Sequence, residues 1–159
     1  MVPPPIRLAR AADAPGIVAL IGRVFDEYEF VWDPAGEVPD LMQGFPGRYA
    51  EPTGAFWVAE EDDRVVGSVG VERGAPGSAE LHRLYVDPGL RRRGLGLLLT
   101  TRVMDWCRAA GIPHLLLWSD TRFDRAHALY TRLGFARTGE RELPGDVNDT
   151  REFRFDLDL

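Results

Sequence analysis

Seven consecutive residues, Arg91-Arg92-Arg93-Gly94-Leu95-Gly96-Leu97, carry the clearest chemistry in the chain. Glycines let a backbone approach a ligand closely, and the first turn of a helix leaves N–H donors free at the positive end of its dipole. Three guanidiniums stand beside them, and guanidiniums pair with phosphate oxygens in a planar fork. The combination predicts an anion site whose natural guest is a phosphate. The same residues also fit a tight loop with solvated arginines, so the flanking elements must decide.

Those elements favour the anion site. Ala79 to Val86 alternates and is rich in strand formers, and Asp87-Pro88-Gly89 ends it as a turn. Beyond the glycines, Leu95, Leu98, Leu99, Val103, Trp106, Cys107 and Ala110 recur at helical spacing, with Gly111 and Pro113 as the stop. The glycines therefore lie where strand becomes helix. A Walker-type nucleotide loop is excluded because it needs a lysine, and all 19 basic residues are arginine. A dinucleotide fingerprint needs a third glycine, where this chain has Leu97-Leu98-Leu99.

What remains is Arg91-x-x-Gly94-x-Gly96, and here the chain resembles the GNAT superfamily of acyl-CoA-dependent N-acetyltransferases. Val86 to Gly96 is similar to the family's pyrophosphate-binding segment. Ala126-His127-Ala128-Leu129-Tyr130-Thr131-Arg132-Leu133-Gly134-Phe135 is similar to its second cofactor segment, and strand-like Leu115 to Trp118 lies between them.

The resemblance implies acetyl-CoA as co-substrate, lying between two parallel strands, one with Leu84 and one with Leu116, that splay apart. Amides from Arg92 through Leu97, across Arg93, Gly94, Leu95 and Gly96, would cradle the pyrophosphate. The backbone of Leu84, Tyr85 and Val86 would pair with the pantetheine arm, Arg91 and Arg93 would add charge, and Ala126 would face the cofactor. Tyr130 aligns with the tyrosine that reaches the cofactor sulfur and would protonate the leaving thiolate; a core tyrosine is the alternative. Glu80 precedes Arg91 by the spacing of a catalytic glutamate and is the candidate base, the alternative being a strand glutamate paired with arginine. By period-two alternation Glu80, His82 and Leu84 share a face. Phe123 replaces an asparagine that many relatives use to contact the pantetheine arm.

A base matters because an alkyl amine with pKa about 10.4 is only about one part in a thousand neutral at pH 7. The implied reaction is direct attack of a primary amine on acetyl-CoA in a ternary complex; a catalytically silent CoA-binding sensor is the alternative from another class. The acceptor would be a small-molecule or protein amine. Phe25 to Asp33 combines acids with aromatics, which suits a cation or simply a solvated helix end.

Composition bounds the rest. A chain of 159 residues, 45% hydrophobic, fits one domain spanning 1–159. The fold class is α/β of the α+β type, with a mixed, mostly antiparallel sheet flanked by helices, because three strands run in succession before the third helix. The net charge of −6 argues against nucleic acid. No apolar stretch suits a membrane span, and Met1-Val2-Pro3-Pro4-Pro5 lacks the features of a signal peptide, so a cytoplasmic protein is expected. Cys107, the single cysteine, reads as a core residue, no metal is called for, and a homodimer is a reasonable prior. Pro34 to Pro52 predicts one short helix near Leu41.

Overall fold

A computed structural model describes residues 2–159; Met1, which opens the stretch read for a leader, lies outside them. Strand β1 (Ile6–Leu8) leads into helix α1 (Ala14–Glu27), whose Ile17, Leu20, Ile21 and Val24 form one buried face. The helix ends in a Schellman motif: Phe30 N–H donates to Phe25 O (2.9 Å), Glu29 N–H donates to Asp26 O (3.0 Å), and the Phe25 and Phe30 rings meet edge-on at 5.4 Å. Glu29 takes the left-handed position (φ 59°) that usually belongs to glycine.

The segment predicted to hold one helix holds two, α2 (Pro34–Glu37) and α3 (Pro39–Met42). Each begins at a proline, whose fixed φ suits a first helical turn and whose missing N–H costs nothing there. Strands β2 (Gly54–Glu61) and β3 (Arg64–Arg73) form a hairpin through Asp62-Asp63, both with positive φ (52° and 58°) as a type I′ turn requires. Then follow β4 (Ser78–Val86), α4 (Leu95–Ala109), β5 (His114–Asp120), α5 (Asp124–Arg132), β6 (Ala136–Glu142) and β7 (Arg151–Asp158).

The seven strands order as β1-β2-β3-β4-β5-β7-β6, with β4 and β5 the one parallel pair among the described residues. Alternation along β2 divides the core between the two faces of the sheet. Phe56 and Val58 join Ile17, Leu20 and Leu41 beneath α1 and α3. Ala55, Trp57 and Ala59 join Leu95, Leu99, Val103 and Cys107 beneath α4, where Tyr130 of α5 is also buried. Burial pushes the Cys107 thiol up to about 11, so it is a protonated core side chain. Leu98, read as part of the apolar face of α4, is instead exposed (39%).

Candidate active site

The parallel pair is short. Residues Ser78 to Leu81 pair with His114 to Leu117; beyond Leu81 the partners part, and β5 continues its ladder with β7 alone. A β-bulge at the same level explains the divergence. Between Ser68↔Tyr85 and Gly70↔His82, β4 contains one residue more than β3, and Arg83 there adopts φ 56°. The bulge also corrects the alternation expected from sequence. Glu80 and His82 lie on one face, but Leu84 and Val86 pack into the core beneath α4, while Tyr85 packs toward α1.

At the mouth of the split, Asp87 accepts bonds from Gly89 N–H (2.9 Å), Arg23 Nε (2.9 Å) and Arg64 Nη2 (2.6 Å). Burial opposes its ionisation, but the Gly89 amide and the two guanidiniums prevail and hold its pKa below the usual carboxylate range. The chain then passes through Arg92 (φ 71°) and Gly94 (φ 75°) into α4, and no side chain caps that helix. Its first-turn amides are left for a ligand. At Gly96 an added Cβ would meet Leu129 Cδ2 at 3.4 Å, an ordinary van der Waals contact, so α5 packs directly over this turn of α4.

A cleft of about 630 Å3 runs from this turn between β4 and α5. Leu84, Tyr85, Val86, Arg91, Arg92, Gly94, Leu95, Gly96, Leu97 and Ala126, all singled out in the sequence, line it together. Arg93 does not. Its guanidinium turns toward the start of the chain, donating to Val2 O (2.9 Å) and lying 3.3 Å from Glu61, so it adds no charge at the turn. Arg91 lines the cleft but is held by Glu27.

The cleft also has walls that the sequence reading did not assign. Val24 comes from α1 and Tyr28 directly follows that helix, while Arg125 and Arg132 come from α5. The two arginines lie seven apart on one helix, a spacing that places both on the same face; nothing in the sequence marked that face as the one turned to the turn. Phe123 lines the cleft as well, in edge contact with Tyr28 (4.9 Å) and Tyr85 (6.4 Å). Aromatic rings therefore line the cleft at the position where the resemblance leads one to expect an asparagine.

Glu80 pairs in register with Leu116, one step before the strands part, and is not part of the cleft lining. Its carboxylate lies 3.6 Å from His82 Nε2, and burial raises its pKa. Burial, with Arg48 and Arg83 nearby, lowers His82 to about 4, so its imidazole is neutral at pH 7. Tyr130 sits behind the lining, its ring against Phe135 (5.5 Å) and Phe155 (5.4 Å), and burial raises its pKa. Tyr85 is the tyrosine of β4 that lines the cleft, and its pKa is raised for the same reason.

A mixed sheet opened at its parallel pair thus frames a cleft that meets an uncapped helix start and an arginine-rich mouth. Residues 21–135 match the model of the Acetyltransferase (GNAT) family, and the chain belongs to that family. It is 32% identical over 139 residues to the uncharacterized N-acetyltransferase YjgM of Escherichia coli (strain K12), covering 83% of this chain and 81% of that protein. It is 37% identical over 119 residues to the N-acetylaspartate synthetase of Danio rerio, covering 72% of this chain and 42% of that longer protein. The fold is shared with yncA, a putative acetyltransferase from Salmonella typhimurium solved with its cofactor acetyl-CoA (TM-score 0.76, 22% identity, 98% of this chain and 93% of that one). The protein is thus an acyltransferase of the GNAT type.

Proposed function

We propose that the protein moves an acetyl group from acetyl-CoA to a primary amine by direct attack in a ternary complex. The observation that carries this reading is the cleft itself, cationic at the Arg91, Arg92, Arg125 and Arg132 end and apolar along Val24, Leu84 and Phe123. A diphosphate suits the first end and a pantetheine arm the second. The amides of Leu95 to Leu97 hold the phosphates, and the parted edge of β4 at Leu84 to Val86 offers strand-like bonds to the arm. A backbone amide near Val86 polarises the thioester carbonyl.

Glu80 is the proposed base and acts through water, because it stands back from the cleft. Its raised pKa makes it a stronger base than an exposed glutamate. Tyr130 is the proposed partner of the leaving thiolate. A thiol has a pKa of about 8.5 and a phenol about 10, so a buried tyrosine raised further holds its proton and donates a hydrogen bond to the sulfur rather than yielding the proton outright. The acceptor is a small-molecule or protein amine. The proposal includes one functional domain over 1–159, a cytoplasmic setting, a homodimer, and no nucleic-acid, membrane or metal partner; the net charge of −6 supports the nucleic-acid part.

Calorimetric titration with CoA tests the donor site. Gly94→Asp places a charge and a disfavoured left-handed residue at the turn, and binding should fall by at least about a hundredfold, on the order of 3 kcal/mol from strain plus charge repulsion. Undiminished affinity places the donor elsewhere.

A further inference from the structure

One segment touches both walls of the cleft and the connection between β6 and β7. At the end of α1, the Glu27 carboxylate is bonded to Arg91 Nη1 on the anion turn and lies 3.9 Å from Arg125 Nη1 on α5. Tyr28 follows it, lining the cleft with its ring on Phe123. Phe30 lies against Phe123 at 6.1 Å and carries the Arg122 guanidinium 4.1 Å over its ring. Val31 is then clasped by Asn148 of the β6–β7 connection, which accepts from its N–H (2.8 Å) and donates to its C=O (3.0 Å). The turn joining these contacts has Glu29 at φ 59°, a left-handed conformation that is unfavourable for a side-chain-bearing residue and must be held by its neighbours.

A carboxylate engages guanidinium in the same planar geometry as a phosphate. Glu27 therefore presents to Arg91 and Arg125 the chemistry that a diphosphate would present, at the cationic end of the same cleft. We propose that Glu27 is an internal competitor for the donor's phosphates, and that its displacement loosens the Tyr28–Asp33 segment, whose acids and aromatics suit it to meet a cationic amine acceptor. Glu27 becomes an affinity-setting residue for the donor. Through the strained turn and the Asn148 clasp, donor binding becomes linked to the shape of the surface that meets the amine. The inference rests on the donor reading above and adds to it a residue that no part of the cofactor cradle contains.

Calorimetry of the full chain with CoA at low ionic strength checks the competition. Glu27→Gln keeps the size and removes the charge, and should bind CoA roughly three- to fivefold tighter, the scale of one half-exposed ion pair removed from competition. Glu27→Asp, which keeps the charge but shortens the reach, should tighten binding less. Unchanged or weaker binding by Glu27→Gln overturns the proposal and makes Glu27 a support for Arg91. If wild-type protein fails to bind CoA, the donor reading falls and takes this inference with it. Hydrogen exchange reads the linkage: CoA should speed exchange of the Val31 amide in wild type, and Glu27→Gln should speed it without CoA. A Val31 rate indifferent to both rules out the link to the acceptor side.

Discussion

Two tyrosines compete for one role at the residue scale. Tyr130 is in the position the resemblance assigns to the sulfur partner, yet it lies behind the lining with its ring among Phe135 and Phe155. Tyr85 lines the cleft. If Tyr130 serves the thiolate, Tyr130→Phe should lower kcat by about 10- to 100-fold with little change in KM for the donor, the signature of a contact made in the transition state. Tyr85→Phe should then be mild. The reverse order, read from steady-state thiol release, would move the role to Tyr85. The conservative change matters here because both rings are packed, and a smaller residue would confound chemistry with collapse of the core.

Single side chains join whole elements at two places. Asp87 binds Arg23 of α1, Arg64 of β3 and the Gly89 amide, so one carboxylate anchors the turn that starts α4. Asp87→Ala should cost about 1–3 kcal/mol by denaturant titration, since it strands partly buried partners. The sign of its pH dependence follows from its lowered pKa. The contribution is complete above the unfolded value near ~3.9 and is lost as pH falls through the lower folded value. The opposite sign holds between β5 and β7. There His114 Nδ1 lies 3.0 Å from Asp158 and Nε2 lies 2.6 Å from Asp156, and these carboxylates raise the imidazole pKa. That contribution is complete below the ordinary value near ~6.5 and fades as pH rises through the raised one. His114→Gln should therefore narrow the gap in stability between pH 5.5 and pH 8.5 seen in thermal melts; an unchanged gap would show the pair to be energetically silent.

The two cores on opposite faces of the sheet make the whole molecule sensitive to its cleft. Leu95 and Leu99 of α4 and Tyr130 of α5 belong to one core, while Tyr85, on the strand edge between them, packs against the other. A ligand clasped by these elements stabilises both layers together. CoA at a hundred times its dissociation constant should add about 2.7 kcal/mol. For a chain of this length that raises Tm by roughly 5–10 °C. A saturating titration that leaves Tm unmoved would contradict specific binding to the folded state.

Local chemistry was readable without coordinates. The glycines of the turn and the stop at Gly111 act over a few residues, so composition and spacing suffice to place them. Long-range geometry was not readable. The extra residue in β4 is visible only against the register of β3, and it alone decides that Leu84 leaves the face shared by Glu80 and His82. Arg93 departs from the anion site because Val2 and Glu61, 91 and 32 residues away, offer it partners. Glu27 and Arg125 meet at the cleft because α1 and α5 converge on a sheet opened at β4 and β5. The sequence by itself determined which residues could hold a phosphate, since that depends on backbone freedom and charge within one turn. Only the tertiary structure decided which of them face the cleft and what opposes them there, because those contacts depend on how distant strands stack and where their pairing ends.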